Sequence, residues 1–394
     1  MDDHSAITSA LDPLARARAL APALRAAADE IERTRRIPEP LLTALHESGI
    51  FRLLLPRSLG GGEVEPWVYL AAVEEVARHD GSVAWNVFVG NSSALIAPFI
   101  PAESAAAVYG DPRALIAWGP PNSCRARAAP GGYRVEGRWD FASGCRQASW
   151  MGAHCLVVEE DGSLRLNAAG RPTVRTLLFP VARAELLDTW NTIGLRGTAS
   201  DSYVVRDVFV TEAFSGTRED PSLRREPGRL YAFTMHGLYA VGVAGVAFGL
   251  ARAMLDAFVE LAAHKTPRYL GRLADGAVVQ ADVARMEARL GAARAYLVET
   301  LTSIWESATP GGPVIDTPSR ARVRLACAHA IETSERVAER VYKAAGTDAI
   351  FIGSPFERRF RDMRTLSQQI QSRAAHFEAV GEILLGIEPK GVFY

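Results

Sequence analysis

The hydrophobic period of this chain changes twice, and that change limits the architectures open to it. Up to about residue 115, apolar residues recur every three or four positions. LDPLARARALAPALRAAADEIERTRRIPEPLLTALHESGIFRLLLP and WVYLAAVEEVARHDGSVAWNVFVGNSSALIAPFI both show the pattern. Such spacing places them on one face of a helix. Between about 116 and 228 short alternating runs take over, cut by Pro120-Pro121, Gly131-Gly132 and Asp161-Gly162. HCLVVEEDGSLRLN reads as a hairpin, and VRTLLFP and DSYVVRDVFVT as strands. From about 229 the helical period returns. Val279, Val283, Met286, Leu290, Ala293, Leu297, Leu301 and Ile304 form one stripe; Met363, Leu366, Ile370, Ala374, Phe377 and Leu384 form a second. The expectation is an α+β chain with a helical domain over 1–115, a small β domain over 116–228 and a helical bundle over 229–394.

Bulk properties exclude several classes. A chain of 394 residues suits two or three packed domains. A formal net charge of -1 supplies no field to draw nucleic acid. Cys124, Cys145, Cys155 and Cys327 form no C-x-x-C pair, and none stands with a histidine at zinc-ligand spacing. His154 and Cys155 are neighbours on a strand, so they point to opposite faces. No metal site is expected, and free thiols suit a reducing, cytoplasmic compartment. The N-terminal segment lacks the layout of a secretion signal. Phe233 to Ala251 is nearly all apolar but carries Gly237, Gly242, Gly245 and Gly249, and Arg252, Asp256 and Glu260 follow at helical spacing. This reads as a buried bundle helix with small residues for close packing, not as a membrane span. His236 within it reads as a core histidine. RSLGGGEVEP lacks the Lys-Ser/Thr ending of a phosphate loop and is taken as a connector.

The run GRWDFASGCRQASW, residues 137–150, gathers Trp139, Phe141, Ser143, Cys145 and Trp150. Flat rings around a hydroxyl suit either a turn that closes a core or a seat for a planar ligand. The residues alone leave both open.

Three further stretches carry a family resemblance in their order along the chain. They are WNTIGLRGTASDSYVVRDVFV (190–210), RLADGAVVQADVARMEARLGAARAYL and SPFERRFRDMR. Together they resemble the acyl-CoA dehydrogenase superfamily. The resemblance implies an N-terminal helical domain, a central β-barrel or sandwich domain and a C-terminal four-helix bundle, through which the chain forms a homotetramer. It also implies a flavin, FMN or FAD. Phe141 would stack on the ring, Ser143 would donate at its N5 edge, and Trp118 would pass beside it. Arg196, Thr198 and Ser200 would lie near the ribityl and phosphate. Arg268, in HKTPRYLGR, would reach the flavin phosphate of a neighbouring subunit. Arg361 and Asp362 are expected to form an ion pair.

A dehydrogenase of this superfamily needs a carboxylate base aimed at the substrate. The family seats it either on the segment after Arg361-Asp362 or near Tyr239. Met363 to Phe377 and Tyr231 to Leu255 contain no Asp or Glu. The turn FASGC (141–145) is more similar to that of the flavin-dependent monooxygenases of this fold, the oxygenase components of two-component systems. In those, a separate flavin reductase supplies reduced flavin. O2 adds at flavin C4a, and the hydroperoxide passes one oxygen atom to a small organic substrate in a dry pocket. Ser143 would hold N5–H. A second polar group would stand near the peroxide: Gln369, among Gln368, Gln369 and Gln371 where relatives carry a histidine, or Asn91 in GSVAWNVFVGNSSAL, beside Trp85 and Asn86. Asn91 also reads as a capping residue. Glutamine donates a hydrogen bond but shuttles no proton, which suits a soft nucleophile such as sulfur or nitrogen. Two alternatives stay open: a dehydrogenase or oxidase with another base, and a non-catalytic flavin-fold binding subunit. No nucleic acid or membrane partner is expected.

Overall fold

The computed structural model describes residues 12–387, except 121, 168, 169 and 219. Its N-terminal part is helical, with α1 (Pro13–Ala19), α2 (Ala21–Thr34), α3 (Glu39–Glu47), α4 (Pro66–His79), α5 (Gly81–Ala94) and α6 (Ala102–Tyr109). Asp80 separates α4 from α5. Its extended backbone stops the first helix, and its carboxylate caps the second by accepting from Val83 N at 2.9 Å. Every residue of α5 except Gly90 is buried. This helix therefore forms the floor between the helical part and the sheet.

Eight strands follow: β1 (Ile116–Trp118), β2 (Arg125–Ala129), β3 (Gly132–Ala142), β4 (Trp150–Val158), β5 (Val174–Pro180), β6 (Glu185–Leu187), β7 (Asp201–Thr211) and β8 (Ser215–Gly216). They form one mixed sheet in the order β6-β7-β3-β2-β4-β5-β8, with β1 parallel beside β4. Alternation sorts its faces. Cys155 joins Trp139 and Tyr203 in one core, whereas His154 lies against Trp118. The β3–β7 ladder shifts register between Trp139 and Ala142, and this break shapes the site.

The C-terminal part holds three long helices, α7 (Met235–His264), α8 (Ala277–Ser307) and α9 (Thr317–Ala345), and two short ones, α10 (Glu357–Leu366) and α11 (Ala375–Leu384). The stripe from Met363 to Leu384 is thus two helices. Between them the Gln369 side chain accepts from Gln371 N at 2.7 Å, closing a tight turn that no glycine or proline announces. Both short helices pack on α9, and α10 also on α7. By length and mean hydropathy, 1.7, α7 could cross a membrane, but 83% of that window is buried inside the molecule. Its glycines let it approach α4 closely. A Cβ on Gly249 would stand 2.3 Å from Glu74 O, and one on Gly242 2.5 Å from Tyr69 Oη.

Arg361 and Asp362 do not pair with each other. Arg361 binds Glu357 at 2.6 Å and Glu32 at 2.8 Å. Asp362 is buried and accepts from Leu195 N at 2.6 Å, joining α10 to the loop before β7. Burial is the main cause that raises its pKa to about 7; the Leu195 hydrogen bond opposes the shift, and Asp80 and Glu32 add to it.

Two outcomes follow from these contacts. Gly249→Ala should lower unfolding stability by about 1–3 kcal/mol in urea melts, because the new methyl meets α4 backbone. Asp362 keeps its proton in the native state over a range where the unfolded chain has released it. Its contribution is therefore most favourable below about pH 4 and is lost as pH rises to about 7. Asp362→Asn retains an acceptor for Leu195, so the wild type should lose stability relative to this variant across that window.

Candidate active site

The aromatic run at 137–150 divides its residues between core and site. Trp139 is fully buried, stacks on Tyr203 at 5.2 Å and donates from Nε1 to His154 O at 3.1 Å. Simple alternation would send Phe141 to the same face. Instead Phe141 adopts φ 61°, the ladder shifts, and its ring is 62% exposed, edge-on to Trp190. Left-handed backbone at a non-glycine residue is strained and needs support from its surroundings. Two backbone bonds supply it: Ser143 N donates to Phe141 O at 2.9 Å, and Gly144 N to Thr198 O at 2.8 Å. Gly144 itself has φ 78°, and a Cβ there would meet Asn86 Oδ1 at 3.1 Å.

Four side chains then form one directed hydrogen-bond chain. Thr198 Oγ1 donates to Leu195 O at 2.8 Å. Its proton is spent, so at the 2.7 Å contact Ser200 must donate to Thr198. By the same count Ser143 must donate to Ser200 at 2.6 Å. Trp85 Nε1 donates to Ser143 Oγ at 3.0 Å. A hydroxyl has one proton and two lone pairs. Ser143 therefore keeps one lone pair and no proton. Of the two roles the sequence suggested, donor at the N5 edge and holder of N5–H, only the accepting one is open to it in the structure.

The remaining expected site residues divide. Thr198 and Ser200 are buried members of this chain. Arg196 donates to Glu32 O at 3.2 Å and Thr192 O at 3.0 Å, tying the loop to α2. Asn91 is a structural clamp. Both amide hydrogens are used, on Ile50 O and Val87 O at 2.8 Å, and its oxygen accepts from Leu54 N at 3.1 Å. Its neighbour Asn86 has the orphan instead, a buried Oδ1 without a partner, while its nitrogen donates to Gly197 O at 3.2 Å. The Gln369 side chain faces the Tyr239 hydroxyl and acts against the rise in its pKa. Burial raises the Tyr239 pKa, so that hydroxyl stays neutral. The Tyr239 ring meets Phe88 at 5.0 Å, and Phe88 meets Trp85 at 4.7 Å. One wall thus runs from Ser143 to Gln369.

Trp118 is buried, 4.9 Å from the His154 ring. His236 is half-buried rather than a core histidine; burial, then Arg218 and Arg324, lowers its pKa to about 4. Arg268 is exposed on the loop after α7, over the Tyr269 ring at 5.0 Å. From Tyr239 to the end of α7 is about 37 Å at 1.5 Å per residue, so Arg268 cannot reach Ser143 of its own chain. Cys145 is no nucleophile: burial, then Asp201, pushes its thiol up to about 12. Among the described residues no cluster of three His, Cys, Asp or Glu could hold a metal ion. Trp85, which the sequence offered beside Asn86 and Asn91, is the residue of that helix that reaches Ser143.

The residues fit a flavin. An aromatic face stands out at Phe141, a hydroxyl offers a spare lone pair, and both supposed base seats lack a carboxylate. Comparison with known proteins agrees. Residues 3–103 match the acyl-CoA dehydrogenase N-terminal domain and residues 241–373 the acyl-CoA dehydrogenase C-terminal domain. Indole-3-acetate monooxygenase of Pseudomonas putida is 30% identical over 370 residues, covering 93% of this chain and 91% of that one. The FADH2-dependent resorcinol hydroxylase oxygenase component of Rhizobium sp. is 28% identical over 386 residues, covering 94% and 93%. The HsaA monooxygenase structure from M. tuberculosis superposes with TM-score 0.87 at 25% identity, covering 98% and 100%. XiaF from Streptomyces, in complex with FADH2 and glycerol, has the same fold, with TM-score 0.88 at 23% identity over 99% of both chains. This chain belongs to the acyl-CoA dehydrogenase superfamily, among its flavin-dependent monooxygenase oxygenase components.

Proposed function

We propose that the protein receives reduced FMN or FAD from a separate reductase and uses O2 to oxygenate a small organic substrate. One oxygen atom enters the substrate and the other leaves as water. Bound reduced flavin supplies the two electrons this requires. The observation that carries the reading is the direction of the hydroxyl chain. Reduced flavin presents N5–H, a donor; oxidised flavin presents a bare N5, an acceptor. Ser143 has only a lone pair to offer, so it accepts from the reduced form and faces the oxidised form lone pair to lone pair. Phe141 gives the ring an apolar face, and the wall of buried Trp85 and Phe88 with partly buried Tyr239 limits water at the reacting edge.

Tyr239 and Gln369 form the second polar group. A glutamine amide that donates to the phenol oxygen would leave the phenol proton to point into the site. Neither group titrates near neutrality, so the pair donates a hydrogen bond and acts as no base. His376 is no substitute: its Nε2 is engaged with Ile370 O at 2.8 Å, and burial, then Arg324, lowers its pKa. Arg268, out of reach in its own chain, serves the flavin phosphate of a neighbouring subunit, which makes a homotetramer part of the proposal.

Anaerobic titration with each redox form of FMN and FAD tests this. The wild type should bind the reduced form about tenfold or more tightly than the oxidised, one hydrogen bond's worth. Ser200→Ala frees the Ser143 proton to donate to oxidised N5, so it should narrow that gap mainly by tightening the oxidised form. Ser143→Ala should weaken the reduced form and release more hydrogen peroxide per O2 consumed. Equal binding of both forms by the wild type, or an unchanged ratio in Ser200→Ala, would remove the hydroxyl chain from the mechanism.

A further inference from the structure

The wall that begins at Ser143 approaches a cation that the oxygen chemistry leaves unused. Arg218 follows β8 and lies over the Trp118 ring, its Cζ 5.1 Å from the centroid. Trp118 rests on His154, and the His154 ring is fixed by Thr176, Oγ1 to Nδ1 at 2.9 Å. The Arg218 Nη1 is buried and has no hydrogen-bond partner. Burial, opposed by Tyr109, lowers its pKa to about 10, so the group remains cationic at neutral pH; among the described residues no carboxylate acts on it. A guanidinium buried without a counter-charge is strongly unfavourable, and truncating it or supplying an anion are the two remedies.

Its surroundings say which anion. His236, in the first turn of α7, feels Arg218 directly. Tyr239 lies three residues on, on the same helix face, and leads through Phe88 and Trp85 to Ser143. Arg218 and Ser143 therefore stand at the two ends of one run of aromatic side chains. Arg324 does not add a second open cation, since its Nη1 is held by Gln371 Oε1. One open guanidinium nitrogen suits a monoanion rather than a phosphate, and the rings of Trp118, Trp85 and Tyr239 suit an aromatic body.

We propose that Arg218 is the anion seat of the substrate space, and that the substrate is a small aromatic carboxylate. The carboxylate sits on the Arg218 guanidinium while the ring reaches along the wall toward Ser143. This rests on the oxygenase reading and narrows its substrate class.

Calorimetric titration of the full-length protein tests it, once without flavin and once with reduced FMN under nitrogen. The probes are phenylacetate and indole-3-acetate, each against its neutral amide. At least one acid should bind about 10- to 100-fold more tightly than its amide, as expected for a charged hydrogen bond. Arg218→Gln should abolish that preference while leaving amide binding unchanged, and Arg218→Lys should restore part of it. The wild-type acid-to-amide ratio needs no variant, so a misfolded Arg218→Gln protein still leaves a decisive measurement. Acids that bind no better than their amides overturn the proposal. So does an Arg218→Gln protein that binds acids normally, or one that loses only reduced FMN. Wild type that prefers the acid yet yields no oxygenated product would keep the anion seat and end the oxygenase reading instead.

Discussion

The peptide groups of Leu195 hold the site in register. Its N–H is taken by the buried Asp362 on α10, and its C=O accepts from Thr198 Oγ1 and from Trp190 Nε1, the latter at 2.9 Å. The residue itself has φ 50°, a conformation its own side chain disfavours. The surrounding bonds therefore hold it there. Because the carbonyl ends the hydroxyl chain, it also sets the direction of every proton back to Ser143. One backbone unit thus links the C-terminal helices to the sheet and decides what the active-site serine can offer a ligand.

That arrangement works only if the helical parts stay fixed relative to the sheet. The glycines of α7 allow backbone-close packing on α4. Helix α5, capped by Asp80 and almost wholly buried, carries Trp85 into the turn at 143 and Asn91 into the segment at 50–54. Two neighbouring asparagines on this helix have opposite fates. Asn91 spends its whole amide on backbone, while Asn86 keeps a buried oxygen without a partner. Close packing fixes such differences, because a rigid interior leaves each polar group only the partners within reach.

The electrostatics of the site are as telling as its shape. Carboxylates are missing from the two stretches where proton abstraction would need one, and among the described residues no carboxylate acts on Arg218. A site of this kind holds anions and hydrogen-bond donors well and removes protons poorly. Oxygen transfer to an electron-rich ring fits those means; α-proton removal does not.

Domain order and fold were legible because periods of two and of 3.6 survive in any sequence that buries one face. The turn at FASGC was legible because rings and a hydroxyl lay adjacent in the chain. The break between Met363 and Leu384 was not, since it comes from a glutamine side chain closing a turn on its own backbone. The backbone partners of Asn91 and Arg196 were not legible, because residue type does not reveal which donors neighbouring carbonyls will consume. By itself the sequence determined which segments are helix or strand, where carboxylates are absent, and that Phe141 and Ser143 stand together. Only the tertiary structure decided that Phe141 turns outward, that Ser143 has a lone pair and no proton to offer, and that Arg218 lies over the Trp118 ring. Those outcomes depend on contacts between distant residues, 57 positions apart for Ser143 and Ser200 and 167 for Leu195 and Asp362, and no local pattern encodes them.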